Sequence, residues 1–436
     1  MGTKRVALAG LIAAGLIAAA CGDDSTDTSS ATTAAPGAAT TAGAAVTSAA
    51  APTAVDPSLP ALKIGFLGTE SGALAVANRH YSLEMAIAEL NAKGGAYGHK
   101  IEYTAYDAGT SADTASTAVK KAISDKMNVL VGLGFTATVQ ATAPDIAASG
   151  IPLLFVAQSP LLNKSTLKLD IGYRIGPTAD VYAESFVKYA LDQTPQPKSI
   201  LNEHTTDTSG ALVGKAINQL LKDAKYTGTV TERALAATAT DATEAVLAAK
   251  TADFIIMNNV PTVGQVFLKQ RTQQGLTTPA ITDTGVPGYL ASGANTMAEM
   301  KNVAYSSGCS TDTLDTPEAT AYRTAYKAKY PSESNTDGSA AYNYQAVYYI
   351  AAAANLAKSI EPKDLKPAFG KLDLPGPCGQ WKTDADNNLH HDVAVVDITT
   401  GKLLKRYTRL VGVPGLQADV PTTVAASPAA STAAAS

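Results

Sequence analysis

The sequence is poor in cysteine and in clusters of charge. Among its 436 residues there are three cysteines, and no Cys/His spacing resembles a zinc site. The net charge of −4 is spread along the chain without a basic run, which disfavours nucleic-acid binding. Beyond the N-terminal segment, no apolar stretch is long and uninterrupted enough to span a membrane as a helix. These absences disfavour a zinc protein, a nucleic-acid partner and an integral membrane protein.

Sequence motifs of common enzymes are also missing. The chain has neither a phosphate-binding G-x-x-x-x-G-K-[ST] loop nor a G-x-S-x-G nucleophile elbow. His204, Asp207 and Ser209 supply the residue types of a catalytic triad, but they crowd one loop, and a triad needs a geometry that this spacing does not imply. The His390-His391 doublet lies on a predicted strand, where a surface or packing role is favoured over metal binding. We therefore predict no catalytic residue, no metal and no cofactor.

The N-terminus has the pattern of an export signal. Lys4 and Arg5 precede an apolar run over 6–20, which is too short to span a bilayer and ends in three alanines directly before Cys21. This arrangement resembles the lipobox of bacterial lipoproteins, in which the signal (1–20) is cleaved and the cysteine carries the lipid anchor. The alternative is ordinary secretion with an incidental cysteine. We expect an extracytoplasmic protein that is lipid-anchored to the outer face of the bacterial cell membrane.

The remaining two cysteines suggest a disulfide. Cys309 and Cys378 are the leftover pair of an exported chain, and exported proteins meet an oxidising environment. We predict that they are bonded to each other.

Composition separates the globular part from its ends. Residues 21–59 and 415–436 are rich in Ala, Thr, Ser and Pro, and we expect a flexible linker and a disordered tail because such segments bury too little apolar surface. About 350 residues remain, which is more than one simple core usually holds, so two lobes are expected.

The central part alternates between strand and helix patterns. This alternation predicts an α/β fold with doubly wound parallel sheets. The C-terminal part differs, because Gly379 to Lys405 reads as a hairpin with its turn at 384–388. The predicted strands span 62–67, 101–106, 129–132, 151–156, 199–203, 253–257, 279–282 and 392–397.

Six segments follow one another along the chain: IGFLGTESGALA, EMAIAELNAKGGAYGHKIEYTAYDAG, VLVGLGFTATVQATAPDIAASGIPLLF, YRIGPTAD, ATATDAT and DFIIMNNV. Their order resembles that of the type I periplasmic binding proteins of ABC importers, in the branch of the leucine/isoleucine/valine-binding proteins. The resemblance implies two lobes joined by three crossovers, at 60–177 plus 316–365 and at 178–313 plus 376–410. It also implies a small-molecule solute in the cleft, partner permease and ATPase subunits in the membrane, and a monomer.

Candidate binding residues in the first lobe follow its strands. Gly134 to Thr138 open a helix, whose N–H groups and dipole favour an anion, so Phe135, Thr136, Ala137 and Thr138 are expected to hold a carboxylate. Alternatively, Thr136 or Thr138 serves only as a helix cap. By resemblance, Ala157, Gln158 and Ser159 face the same head group. In the first loop, Ser71 is a candidate, and Glu70 either accepts a ligand amine or is a solvated acid.

The second lobe departs from the amino-acid binders that the chain resembles. Ser209 and Val260 stand where relatives often have aromatic side chains, which argues against a large aliphatic ligand side chain. In those relatives an acidic residue binds the ligand amine, and Thr284 stands at its position in this chain. We expect Asp283, one residue earlier, or Asp207 to bind the amine instead. Asn259 is also expected at the ligand.

Tyr305 lies near the second crossover and is expected to line the cleft. The resulting interpretation is a receptor that delivers an amino acid or a related small carboxylate to an ABC importer. A ligand-sensing lipoprotein of the same fold and a receptor for an amide or urea remain as alternatives.

Overall fold

The structure is a computed structural model that describes residues 54–71, 78–311, 314, 316–332, 338–390, 392–409 and 415–418. The predicted signal peptide, Cys21, His391 and most of the predicted linker and tail lie outside the described residues. No helix among the described residues is long and apolar enough to cross a membrane.

The strands and helices alternate through most of the described chain. The strands are β1 (Leu62–Gly68), β2 (Ile101–Asp107), β3 (Val129–Gly132), β4 (Leu153–Phe155), β5 (Gly172–Arg174), β6 (Ser199–Thr205), β7 (Thr229–Leu235), β8 (Phe254–Asn258), β9 (Ala280–Thr282), β10 (Val303–Ser307), β11 (Asp373–Leu374), β12 (Trp381–Lys382), β13 (Asp392–Asp397), β14 (Leu403–Arg409) and β15 (Leu416–Ala418). The helices are α1 (Asn78–Asn91), α2 (Ala112–Ser124), α3 (Thr136–Ser149), α4 (Lys164–Leu167), α5 (Ala179–Leu191), α6 (Thr208–Asp223), α7 (Thr243–Ala249), α8 (Pro261–Gln273), α9 (Val286–Ala291), α10 (Pro317–Lys329), α11 (Gly338–Ala357) and α12 (Pro362–Phe369), with a short 3-10 helix at Met297–Met300.

Two main sheets organise the molecule into two lobes. The first has the strand order β2-β1-β3-β4-β5, and all of its strands are parallel. The second has the order β15-β14-β13-β10-β9-β8-β6-β7 and is mixed, because β13, β14 and β15 pair in an antiparallel manner while β6 to β10 are parallel. The predicted α/β fold with two lobes and three crossovers is confirmed, and the antiparallel end of the second sheet adds to it.

Helices cover both faces of each sheet, as parallel strands require. In the first lobe, α2 and α3 pack on one face, while α1, α11 and α12 pack on the other. In the second lobe, α5 and α6 pack on one face, and α7, α8 and α9 on the opposite one. The chain therefore returns to the first lobe for α11 and α12 before β13 completes the second sheet.

Local sequence signals explain where several helices begin and end. Ser111 accepts a hydrogen bond from the N–H of Thr114 and caps α2, and Asp207 accepts from the N–H groups of Ser209 and Gly210 and caps α6. Gly150 ends α3 in the left-handed conformation, with φ of 71°, which glycine adopts without steric cost. The two N-caps thus fix the first turns of α2 and α6, and Gly150 fixes the end of α3.

The predicted disulfide between Cys309 and Cys378 is confirmed. Its Cα atoms are 4.6 Å apart, and both residues are buried. Cys309 follows β10 at the second crossover, and Cys378 lies between α12 and β13 at the third. The bond therefore joins two of the three connections between the lobes.

The predicted hairpin is present, but the predicted position of its turn was wrong. β13 and β14 pair around a turn at 398–402, where the Asp397 carboxylate accepts the N–H groups of Thr399 and Thr400. Residues 384–388 form a separate loop, in which Asp384 accepts the N–H groups of Asp386 and Asn388. Asp397 at the end of β13 and Asp384 in the separate loop can each form this kind of turn, so composition alone did not distinguish the two positions.

Both ends of the globular part extend further than composition predicted. Before β1, the N–H of Asp56 donates to Gly98 O at 2.8 Å, so the end of the predicted linker packs on the first lobe. After β14, residues 416–418 add β15 to the second sheet, and the Leu416 side chain is buried. A single large apolar residue thus continues the fold into a segment whose composition otherwise indicates disorder.

Candidate functional site

Loops that follow neighbouring strands surround two cavities. One, the first-lobe cavity, has a volume of about 270 Å³, and the other, the second-lobe cavity, has a volume of about 100 Å³. Their linings include residues just after β1, β3 and β4 in one lobe and after β6, β8 and β9 in the other. This is the edge at which open α/β sheets bind ligands.

The second-lobe cavity has a polar lining with two carboxylates. Of these, Asp207 is already engaged, because it accepts from the Thr205 hydroxyl at 2.6 Å and caps α6. The other, Asp283, accepts the N–H of Gly285 at 2.9 Å, and burial raises the pKa of its carboxyl above the ordinary value. The full lining is Gln158, Ala179, Tyr182, Thr205, Asp207, Ser209, Gly210, Val213, Asn258, Asn259, Val260 and Asp283.

A buried acid, Glu203, lies behind this cavity and fixes one of its walls. The Asn259 side chain donates through Nδ2 to Glu203 Oε2 at 2.5 Å. Burial raises the pKa of Glu203 to about 8, so the group is mostly neutral at pH 7. Neither Asn259 Oδ1 nor Glu203 Oε1 has a hydrogen-bond partner within the described part of the chain. The pair therefore holds the Asn259 amide in one orientation at the cavity wall.

The first-lobe cavity is mainly apolar and contains one charged side chain, Arg79. Phe135 is the N-cap of α3 but forms no side-chain capping bond, and its ring is 38 % exposed. The full lining is Phe66, Leu67, Gly68, Thr69, Arg79, Gly109, Gly132, Leu133, Gly134, Phe135, Val156, Gln158, Pro261 and Asn343.

Gln158 lines both cavities and is held by both lobes. Its backbone oxygen accepts from Arg174 Nη1 at 3.1 Å and from the N–H of Ala179, the first residue of α5, at 2.8 Å. Arg174 is 1 % exposed and also donates to Leu162 O at 2.7 Å. The loop after β4 is therefore tied directly to the start of the second lobe.

Five of the residues predicted from sequence come together at these cavities. Asp207, Asn259 and Asp283 line the second-lobe cavity, Phe135 lines the first-lobe cavity, and Gln158 lines both.

The first-loop candidates have partners within their own lobe. The carboxylate of Glu70 lies 2.5 Å from His80 Nε2, and the hydroxyl of Ser71 donates to Asp107 Oδ2 at 2.6 Å. Neither residue is among those that line the two cavities. In this conformation, Glu70 is paired with a histidine rather than directed at the cleft.

The threonines at the start of α3 contribute less than their sequence pattern predicted. Thr138 is buried, and its hydroxyl donates to Phe135 O at 2.8 Å, so it turns back onto its own helix. Thr136 and Ala137 are not among the cavity-lining residues either. The alternative of a threonine cap was wrong, because Phe135 occupies the cap position of α3. The residues of this segment that line the first-lobe cavity are Gly134 and Phe135, directly before α3.

Three other candidates lie in the packed interior of their lobes. Ala157 and Ser159 are buried, and the Ser159 hydroxyl accepts the N–H of Leu161. Tyr305 is half-buried on β10, where it packs against two apolar clusters of the second lobe and lines neither cavity. Ala157 and Ser159 flank Gln158 in the loop after β4, and of these three residues only Gln158 lines a cavity.

Sequence reasoning missed Arg79, Tyr182 and Glu203. Arg79 precedes the apolar pattern of α1, and Tyr182 belongs to the buried face of α5, so neither stands out by periodicity. Glu203 offered a usable signal, since it is an acid within the strand Ser199–Thr205, six of whose residues are buried. An acid inside a buried strand requires a specific partner, and here that partner is Asn259.

The residues that resembled a triad engage other partners. The ring nitrogens of His204 lie 3.0 Å from Glu232 Oε1 and 3.0 Å from Thr205 O, while Asp207 serves as a helix cap. His390 is buried, and its Nε2 bonds to Gly308 O. Within the described ranges, no group of three or more His, Cys, Asp or Glu side chains could hold a metal ion.

Comparisons with known proteins agree with this architecture. A family model described as "Periplasmic binding protein" matches residues 61–402. Leu/Ile/Val-binding protein homolog 8 of Brucella suis biovar 1 is 26% identical over 340 residues, which cover 74% of this chain and 83% of that protein.

Solved structures share the fold at low sequence identity. The branched-chain amino acid transporter substrate-binding protein of Streptococcus pneumoniae, in complex with isoleucine, superposes with a TM-score of 0.66 at 22% identity and covers 82% of this chain and 99% of its own. A solute-binding protein of an ABC transporter from R. palustris, in complex with benzoate, gives a TM-score of 0.66 at 18% identity, with 82% and 96% covered.

Proposed function

The chain belongs to the periplasmic binding protein family, and we propose that its cleft delivers an amino acid or a related small carboxylate to an ABC importer. It is a solute-binding transport receptor and not an enzyme. Closure of the two lobes around the solute is the conformational step that such a receptor uses.

One observation carries the proposal. Gln158 from the first lobe and Asp207, Asn259 and Asp283 from the second line the same small cavity, although the intervening chain is long. A solute in this position contacts both lobes at once, and contacts made to both lobes favour the closed form.

A carboxylate on the solute is supported by the start of α3. The first N–H groups of a helix have no partner within the helix, and the helix dipole adds partial positive charge there. The first turn of α3 contains no acidic residue that would repel an anion. Its cap residue, Phe135, leaves these N–H groups without a side-chain acceptor, and Gly134 and Phe135 line the first-lobe cavity.

An ammonium or another N–H donor on the solute is supported by Asp283. Its carboxyl has one backbone donor, Gly285, and lies where burial raises its pKa. A positively charged group beside it would offset the cost of burying the carboxylate. Asp207 is the weaker candidate, because its oxygens already accept three hydrogen bonds.

Titration calorimetry on ligand-free protein tests whether the solute carries the proposed carboxylate and the proposed ammonium or N–H donor. The panel consists of amino acids, their amides, their decarboxylated amines and small organic acids. Asp283→Asn should weaken amino-acid binding by about 10- to 100-fold, the effect of losing a charge-assisted hydrogen bond, and should change binding of amine-free acids little.

The exposed Asp223→Asn, which lies outside both cavities, is the matched control and should change nothing. Binding of amines or amides but of no carboxylate would contradict the proposal.

A receptor for an amide or urea is the second candidate. The amide side chains of Gln158, Asn258 and Asn259 all line the second-lobe cavity, and they can both donate to and accept from such a ligand. Structural relatives solved with isoleucine and with benzoate support a fold that accepts different ligand classes. The amides in the calorimetric panel separate this candidate from a carboxylate receptor.

We further propose that the protein is exported and held at the outer face of the membrane by a lipid on Cys21, on the basis of the signal pattern before that residue. Cys21→Ser should move most of the protein from the membrane fraction to the soluble extracytoplasmic fraction, which immunoblotting of fractionated cells measures. Ser25→Ala is a nearby control that should remain with the membrane. An unchanged membrane-bound share of Cys21→Ser would mean that the anchor lies elsewhere.

A further inference from the structure

The carboxyl group of Glu203 is completely buried behind the second-lobe cavity. Its one hydrogen bond among the described residues comes from the side chain of Asn259, with 2.5 Å between Asn259 Nδ2 and Glu203 Oε2. Two acceptor atoms of this pair are left over, Glu203 Oε1 and Asn259 Oδ1, and both are buried without a partner in the described part of the chain. The acid and the amide thus lack one hydrogen between them.

The charged and titratable neighbours of Glu203 do not stabilise an ionised carboxylate. Arg233 pairs with Glu203 in register on β7, but its side chain is exposed and donates to the backbone oxygen of Glu232. His204, the next residue on β6, bonds to the Glu232 carboxylate. Tyr289, from α9, interacts electrostatically with Glu203, and a phenol supplies no positive charge.

A proton on Glu203 completes the pair. Burying a carboxylate without a cation costs far more free energy than burying a carboxylic acid, and an unpaired buried acceptor is also unfavourable. A hydrogen on Glu203 Oε1 supplies the donor that Asn259 Oδ1 lacks. Burial supports this state, because it raises the pKa of Glu203 to about 8.

We propose that Glu203 carries its proton on Oε1 and donates it to Asn259 Oδ1, so that two hydrogen bonds join the acid to the amide. The oxygen of the Asn259 amide and one of its two N–H groups are then used within the wall. Because Asn259 lines the second-lobe cavity, its second N–H is the polar group that is left for a solute. Asn259 therefore acts as a donor only and requires an oxygen acceptor on the solute.

This assignment narrows the chemistry of the second-lobe cavity and, in what it says of the solute, rests on the proposed function. Asp283 favours an N–H donor on the solute, whereas Asn259 favours a carboxylate or carbonyl oxygen. Glu203 lines neither cavity, so it is a positioning residue. Without its proton behind the wall, the Asn259 amide could turn and accept a hydrogen bond from the solute instead.

Urea denaturation at a series of pH values tests the proton. Glu203→Gln reproduces the donor and the acceptor of the protonated acid and cannot ionise. Because folding raises the pKa of Glu203, the denaturation midpoint of the wild type should fall relative to that of Glu203→Gln as the pH rises from about 5 to about 8, and the difference should then level off. Glu102→Gln makes the same change at an exposed position of β2 and should keep the pH dependence of the wild type.

Infrared difference spectroscopy provides an independent signature of the proton. The difference between the wild type and Glu203→Gln should contain the carbonyl band of a protonated carboxylic acid at about pH 6, and this band should be lost at about pH 10. Parallel stability curves of the two proteins, or a difference spectrum at about pH 6 that contains only carboxylate bands, would overturn the protonated state.

Calorimetry with L-alanine, L-leucine and L-glutamate tests the donor role. For the probe that the wild type binds most tightly, Glu203→Gln should bind within about 2-fold of the wild type, because it keeps both hydrogen bonds to Asn259. Asn259→Leu has a similar size but no N–H, and it should bind about 10-fold more weakly. Glu203→Met should show a loss of about the same size, because the amide is no longer held. Circular dichroism melting curves establish that each variant is folded.

Unchanged binding by folded Asn259→Leu would overturn the donor role and leave the proposed function standing. Equal binding by Glu203→Met and Glu203→Gln would overturn the positioning role of Glu203. Failure of the wild type to bind any of the three probes or any other carboxylate would contradict the proposed function and, with it, the acceptor required of the solute. The denaturation and infrared measurements decide the protonated state in every case.

Discussion

Replacing Cys309 and Cys378 together by serine should lower the free energy of unfolding by about 4 kcal/mol. The bond closes a loop across a sequence separation of 69 residues, and opening it gives the unfolded chain more conformational freedom. Urea denaturation followed by circular dichroism measures the change. Wild-type protein with a reductant that reaches the buried bond should show the same loss.

Peptide mapping provides the control for this prediction. In unreduced, denatured protein, a thiol-labelling reagent should modify neither Cys309 nor Cys378. Labelling of both cysteines would show that the bond is absent. A double variant as stable as the wild type would show that the crossovers hold together without the bond.

Replacing Gly132 by alanine should destabilise the first lobe by about 3 kcal/mol. Gly132 ends β3 with φ of 128°, and a Cβ atom built there would lie 2.2 Å from the backbone oxygen of Leu67 in β1. Since the obstacle is backbone in a paired strand, neither partner can move without breaking the ladder at the base of the first-lobe cavity. The midpoint of urea denaturation measures the effect.

Gly150→Ala is the control that separates the steric clash of an added Cβ atom from the cost of a positive φ. Gly150 also has a positive φ, of 71°, but a Cβ atom there would meet nothing within 4 Å. This control should cost about 1 kcal/mol, the penalty for a left-handed alanine alone. Equal losses in the two variants would mean that the contact between Gly132 and Leu67 is not tight.

The fold could be predicted from sequence because its signals are local. The strand before Gly68 and the strand before Gly132 each combine an apolar run with a glycine that ends it, and both lie as predicted. The strands β5, β7 and β11 were not predicted. β5 and β11 have only three and two residues, and β7 is mostly exposed, so none of them carries a long apolar run. The predicted position of the C-terminal turn was also wrong, since Asp384 and Asp397 can each begin a turn of this kind.

The candidate site was predictable where it follows strand ends and not where it depends on packing. Gln158, Asn259 and Asp283 follow predicted strands, so their approach to the cleft could be inferred from topology. Arg79 and Asn343 meet only because α1 packs on α11, a contact between segments far apart in sequence. Thr138 is the opposite case. It follows a predicted strand end, but its hydroxyl donates to the backbone of its own helix instead of lining a cavity.

Mass spectrometry of the solute carried through a mild purification is the most direct test of the central claim, that the cleft binds a small carboxylate. The folded protein, denatured after purification without added ligand, should release one small acid that also carries an amine or another N–H donor. Adding that acid back to ligand-free protein should raise its melting temperature. Release of a neutral solute without a carboxylate, such as a sugar, in stoichiometric amount would contradict the account.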